Sequence, residues 1–130
     1  MYKVVIDTNI LISSRISKSG NPVKIMNLII NKKIKLCYNS KILEEYERVL
    51  AYKKFNFSTK SQKLIIRNIK KIGDIIIPSS GTIPLPDESD RIFYDTAKAA
   101  DAYLITGNIK HYPEEPHILT PAQFVEMFED

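Results

Sequence analysis

Four stretches far apart in the chain each offer an acid or an amide of the kind that binds cations. Asp7 and Asn9 close the run VVIDTN, Glu45 lies in KILEEYERVL, Asp90 opens ESDRIFYDTAKAA, and Asn108 follows AYLIT in AYLITGN. Carboxylates gathered in one pocket repel one another at neutral pH, and a divalent cation relieves that repulsion. Oxygen donors of this sort suit a hard ion. The chemistry to look for is a metal site, provided the fold brings these segments together.

The acids differ in the strength of their signal. Asp7 directly follows VVI, at the end of an apolar run that reads as a buried strand. A carboxylate there is costly unless it is hydrogen-bonded or metal-bound. Its plainer role is to cap the next helix, with Asn9 bonding locally. In the Glu45 stretch, Ile42, Leu43, Tyr46, Val49 and Leu50 share one apolar arc of a helix. Glu45 falls about 100° from the centre of that arc and Glu44 about 160° away. A ligand reaching into a cleft belongs at the border of the buried face, so Glu45 is preferred. In the later helix, Ile92, Phe93, Thr96, Ala97 and Ala100 form the arc, and Asp90 and Asp95 flank it on opposite sides. Asp90 sits in the first turn, where the helix dipole also favours a carboxylate. Asp95 is the weaker of the two, and Asp87 reads as a cap. Asn9, Asn108 and Asp95 therefore stand as additional site candidates behind Asp7, Glu45 and Asp90. His111 and His117 stay outside the catalytic set, because an isolated loop or strand-entry histidine more often has no special role.

The elements that must position these residues alternate between short apolar runs and amphipathic stretches. That alternation predicts an α/β fold with a mostly parallel central sheet covered by helices. Strands are expected at Tyr2–Ile6, Ile34–Tyr38, Ile75–Ile77, Ala102–Ile105 and His117–Leu119. Helices are expected at Ile10–Ser14, after an Asn21 cap with Pro22 in first position, and over Lys41–Ala51 after a Ser40 cap. Further helices are expected from Ser58 or Thr59 to Ile72 with Gly73 as terminator, over Ser89–Ala100, and from Thr120 with a capping box to Gln123. PSSGTIPLPDES reads as a loop. Ligands of such sheets bind beyond the carboxyl ends of the strands, where strand order reverses. If the first and late strands are neighbours, Asp7, Asp90 and Asn108 converge there.

The bulk numbers set bounds. A chain of 130 residues suits one domain spanning 1–130. With 44% hydrophobic and 26% charged residues it can bury a core, which argues against disorder. The 19 Lys+Arg against 15 Asp+Glu leave +4, and acids sequestered at an ion would make the remaining surface more basic. That suits a polyanion held by its backbone, although simple solubility explains such a charge equally well. Lys63, Arg67, Lys70 and Lys71 fall at helical spacings and form either an RNA track or a solvated face. One cysteine, Cys37, permits no internal disulfide. No secretory leader is expected, since MYKVVIDTN reaches an acid within seven residues, and no apolar stretch approaches the ~20 residues of a membrane span. These features point to the cytoplasm.

Taken together, VVIDTNILISS, SKILEEYERVL and ESDRIFYDTAKAADAYLITGNIKHYP resemble the PIN-domain ribonucleases, most closely the small VapC-like toxins of toxin–antitoxin pairs. The likeness runs through nearly the whole chain in order and spacing. It implies a Rossmann-like α/β/α sandwich and cleavage of single-stranded RNA with Mg²⁺ or Mn²⁺. It places the family's acids at Asp7, Glu45 and Asp90. A frequent fourth acid is replaced here by Asn108, and His111 stands where some relatives have another aspartate. It also implies a homodimer and a cognate antitoxin as partners. The alternative is a PIN module that binds RNA or a protein without cutting. Other α/β classes fit less well. A receiver domain wants an aspartate after the third strand, where IIIPSS has none. A haloacid-dehalogenase-like phosphatase wants an acid where Asn9 stands, and a dinucleotide site wants a glycine-rich turn that DTNILIS lacks.

Overall fold

A computed structural model describes residues 1–130 and contains five strands and six helices. The strands are β1 (Lys3–Ile6), β2 (Lys35–Tyr38), β3 (Asp74–Ile75), β4 (Tyr103–Ile105) and β5 (Ile118–Leu119). They form one sheet in the order β3-β2-β1-β4-β5, and every pairing is parallel. The helices are α1 (Thr8–Ile16), α2 (Asn21–Ile30), α3 (Ser40–Leu50), α4 (Thr59–Ile72), α5 (Arg91–Ala100) and α6 (Pro121–Glu129). Val4 and Val5 point to opposite faces of central strand β1, and both are wholly buried. Both faces of the sheet are therefore covered, as the continuous apolar run required. This is the α/β/α sandwich expected from the sequence.

The expected adjacency of the first and late strands is present. Ile6 pairs with Ile105, so Asp7 emerges beside Thr106 at the carboxyl edge of the sheet. The chain lays β2 and β3 on one side of β1 and β4 and β5 on the other. The order thus reverses between β1 and β4, and Asp7 sits at that crevice.

Several local expectations are corrected. The third strand is Asp74–Ile75 and not Ile75–Ile77, because the chain turns outward and leaves Ile77 almost fully exposed. The cap of α3 is Asn39, not Ser40: its side chain accepts from the Ile42 N–H at 3.0 Å. The Asn39 amide also donates to Thr96 Oγ1 at 2.7 Å and to the Ile76 carbonyl at 3.1 Å, so it ties β2 to α5. Gly20, not Asn21, precedes the first turn of α2. Gly73 ends α4 in an extended conformation (φ −90°), so its freedom to turn left is not used. What matters is space, since a Cβ there would lie 2.7 Å from the Tyr38 ring. The α6 capping box between Thr120 and Gln123 is present as expected.

Candidate metal centre

Asp7 is both the cap and the buried acid. Its Oδ1 accepts the Ile10 N–H at 3.2 Å, which closes the first turn of α1. Its Oδ2 accepts the Thr106 hydroxyl, and its own N–H donates to the Ile105 carbonyl at 3.1 Å. Only 5% of the residue is exposed. Burial raises its pKa from 3.8 to about 6, against the opposing hydrogen bond from Thr106, and the charge of Asp90 raises it further. No lysine, arginine or histidine pairs with it. Asn9 lies exposed in the first turn of α1, and its side chain makes no hydrogen bond.

Helix α3 is registered against this edge by Tyr46. That fully buried side chain donates its hydroxyl to the Ile6 carbonyl at 2.6 Å, one residue before Asp7, and packs against Phe93 of α5. The neighbouring Glu45 is held half-buried at the rim, while Glu44 is exposed, as the helical arc indicated. The Glu45 carboxylate is gripped by Arg48 of the same helix at 2.6 and 3.2 Å.

Asp90 ends a short 3-10 turn, Glu88–Asp90, and precedes α5 without capping it. Asp87 supplies the local cap, accepting from the Ser89 N–H at 3.0 Å and the Ser89 hydroxyl at 2.7 Å. The freed Asp90 side chain is half-buried. Burial raises its pKa, the charges of Asp87 and Glu45 add to the rise, and His111 opposes it. Asp7, Asp90 and Glu45 therefore feel one another, with Asp90 the link between the other two. Ligand atoms of Asp87, Asp90 and His111 all lie within 4.8 Å of one another. Asp87 and His111 are the members that sequence reasoning set aside. The signals for His111 were its place in the loop after the late strand and its standing where some relatives have another aspartate, and a loop's path is not written in any periodicity.

The remaining candidates separate. Asn108 is exposed, and its N–H donates to Thr106 Oγ1 at 2.9 Å. Thr106 thereby joins the Asp7 carboxylate to the turn that carries His111. Asp95 is not part of this cluster. Its carboxylate accepts the Gly81 N–H at 3.1 Å and meets Arg91 Nη1 at 3.4 Å. It lines a groove of about 740 Å³, together with Asn39, Lys41, Ile77 and Arg91, that does not include Asp7, Glu45 or Asp90. The opposite side of the α5 arc has carried it away, as the helical spacing warned.

The donors present fit a divalent cation. They are carboxylate oxygens with one imidazole, and the most buried of the acids, Asp7, has no internal counter-charge. Asp90 Oδ2, 3.2 Å from His111 Nδ1, and the Tyr112 hydroxyl are buried there without an aligned hydrogen bond. Such groups are rare unless something outside the chain satisfies them.

A model of the PIN domain matches residues 3–110, which contain β1 through β4 and every acid of this cluster. The chain belongs to the PIN-domain family. PIN domains are generally nucleases. The chain is 31% identical over 142 aligned positions to an uncharacterized protein of Methanocaldococcus jannaschii, covering 98% of this chain and 92% of that one. Its fold resembles a chain in the crystal structure of VapBC2 from Rickettsia felis bound to a DNA fragment from their promoter. There the TM-score is 0.58 at 19% identity, covering 91% of this chain and 96% of that one. That likeness is one of architecture alone.

Proposed function

We propose that this PIN domain is a metal-dependent endoribonuclease that cleaves single-stranded RNA and serves as the toxin of a toxin–antitoxin pair. The observation that carries the reading is Asp7, a buried carboxylate beside a second acid, at the switch point of the sheet, with no cation of the protein's own. Asp7, Glu45 and Asp90 would hold Mg²⁺ or Mn²⁺. A divalent ion in that position polarises a phosphate and lowers the pKa of water. The chain's own residues do the positioning. Thr106 and the Ile10 N–H fix the Asp7 carboxylate in one rotamer, and Tyr46 sets the height of Glu45 above the sheet. Glu45 must leave Arg48 to reach an ion. Their pair is exposed, and such pairs are weak.

The surface supplies contacts for a polyanion. Lys60, Lys63, Arg67, Lys70 and Lys71 of α4 are all exposed, and none is engaged in an ion pair. They suit phosphate contacts that carry no sequence information. No side chain need act as a covalent nucleophile, and the sole thiol, Cys37, is buried in β2. Hydrolysis by water in line with the leaving oxygen leaves a 5′-phosphate and a 3′-hydroxyl. A cognate antitoxin and a second copy of the chain are the partners we propose. No helix is long and apolar enough to cross a membrane.

Two observations favour a second reading, a PIN module that binds RNA without cutting it. Asn108 stands in place of an acid, and Glu45 is neutralised by Arg48. Incubation of mixed RNA with the full chain and Mn²⁺ or Mg²⁺ separates the two. Cleavage lost on adding EDTA supports the nuclease, and retention of RNA without cleavage in either ion leaves the binding module. Co-purification of a small protein encoded beside this chain tests the toxin assignment.

A further inference from the structure

We propose that His111 is a nitrogen ligand of the ion site and that, with Asp87 and Asp90, it biases the site toward ions that accept imidazole, such as Mn²⁺ or Co²⁺, over Mg²⁺. The inference deepens the nuclease reading and rests on it for the assignment of Asp90 to the ion.

Three observations converge. The first is a separation. His111 Nδ1 lies 3.2 Å from Asp90 Oδ2. Two donors each about 2.1 Å from one ion stand about 3.0 Å apart at a right angle and about 3.4 Å apart in a tetrahedron. The pair is already at a chelating distance. The second is burial. Asp90 Oδ2 is buried, and its contact with the imidazole is an ion pair without an aligned hydrogen bond. A carboxylate oxygen and an imidazole nitrogen this close are both within reach of one cation. The third is Tyr112, the next residue. It is only 5% exposed and lies beside Asp7 and Asp90, with its hydroxyl toward the Asp90 carboxylate but in no aligned hydrogen bond.

The local chain explains why His111 is held there. The turn Ile109–His111 is closed by the His111 N–H on the Asn108 carbonyl at 2.9 Å and the Tyr112 N–H on the Ile109 carbonyl at 3.2 Å. Asn108 is tied to Thr106, and Thr106 donates to Asp7. The carboxylate of β1 and the imidazole of the loop are therefore parts of one hydrogen-bonded frame. Asp87 keeps Oδ1 on Ser89 and has its other oxygen free to face the ion. Imidazole suits transition metals, whereas Mg²⁺ prefers oxygen and dehydrates reluctantly.

The test measures binding, not cleavage. Full-length protein is titrated calorimetrically with Mn²⁺, Co²⁺ and Mg²⁺ in turn. The Mn²⁺ complex of histidine-¹⁵N-labelled protein is then examined by pulsed electron paramagnetic resonance for nitrogen coupling. His111→Ala is expected to abolish that coupling and weaken Mn²⁺ and Co²⁺ by about ten- to a hundredfold, with Mg²⁺ nearly unaffected. His111→Asp guards against a folding artefact and is expected to shift preference back toward Mg²⁺. Wild-type protein that binds Mn²⁺ with no nitrogen coupling, or His111→Ala that binds Co²⁺ as tightly as wild type, overturns the ligand assignment while the nuclease reading survives on its oxygens. Nitrogen-coupled binding without RNA cleavage supports the ligand and sinks the nuclease. Failure of any ion to bind overturns both.

Discussion

Two buried aspartates in this molecule have opposite fates. Asp95 is 8% exposed and Asp7 is 5% exposed. Asp95 is matched from within: Arg91 lies 3.4 Å away, and Gly81 gives it a backbone N–H. Gly81 can come that close only because it lacks a Cβ, which would stand 2.6 Å from the Asp95 carboxylate. Asp7 receives hydrogen bonds but no positive charge, and its charged neighbour is another acid. Burial alone does not mark a functional acid. What separates the two is whether the protein supplies the counter-charge or leaves it to be supplied from outside.

The hardest blow to that distinction would come from Asp7 itself. Asp7→Ala is expected to remove metal-dependent RNA cleavage, with a loss of at least about a hundredfold. Partners that merely hold a ligand in place already cost about ten- to a hundredfold. Cleavage at the wild-type rate in this variant would show that Asp7 is only a cap.

Stability should move the other way for the isosteric change. Burial raises the Asp7 pKa from 3.8 to about 6, so the folded state binds this proton more tightly than the unfolded state does. Ion-free protein should therefore lose stability as pH rises from about 4 to about 6, and the loss should persist above that range. A shift of this size corresponds to about 3 kcal/mol. Asp7→Asn removes the charge, so in EDTA at neutral pH it is expected to be more stable than wild type, by an amount up to that figure. The difference between the two proteins should vanish below about pH 4. Comparing them cancels the opposite pH slopes of Asp87, Glu88 and Glu115, whose pKa values are lowered. Urea melts at a series of pH values read the effect, and an Asp7→Asn protein less stable than wild type at pH 7 would contradict it.

The contrast sharpens when each aspartate loses its supporting contacts. Asp95→Ala strips Arg91 and Gly81 of a partner and is expected to cost about 2 kcal/mol of stability. Cleavage by the folded protein should be unchanged. Thr106→Val keeps the shape but deletes the donor to Asp7 and the acceptor of the Asn108 N–H. It is expected to lower ion affinity by about tenfold or more. A variant of Asp95 that loses activity while remaining folded would erase the difference between the two sites.

The same contrast explains what could be read in advance. Asp7 was legible as a buried acid at the strand end because a carboxylate after VVI conflicts with burial, a conflict of the kind that draws attention to a position. Glu45 was separable from Glu44 because a helix has a fixed period. The β1–β4 adjacency followed from topology only as a condition, since pairing of distant strands is settled by packing. The placements of Asp87 and His111 were not legible. Both lie in 3-10 turns or loops, where the chain's path depends on contacts such as Thr106 to Asn108 that no spacing encodes. Asn39 was overlooked for a related reason. Ser40 is an equally good cap by type, and only the tie to Thr96 of α5 decides between them.

The finest discrimination concerns Arg48, because it makes Glu45 an intermediate case between the two aspartates. Glu45 has a counter-charge, but an exposed one on its own helix, at 57% side-chain exposure for the arginine. If Glu45 belongs to the ion site, Arg48 competes with the ion for the same carboxylate. Arg48→Ala should then tighten Mn²⁺ binding by about two- to fivefold, the scale set by typical exposed ion pairs. Arg48 also stacks over the Tyr52 ring, 5.5 Å from its centre, so a folding control is required. If the arginine instead holds Glu45 in its working position, the same variant should weaken Mn²⁺ binding. The sign of the Arg48→Ala change decides between these cases, and Glu45→Gln shows whether it runs through this carboxylate. That variant cannot tighten binding through Arg48, so a double variant no better than Glu45→Gln alone places the whole effect in this one carboxylate.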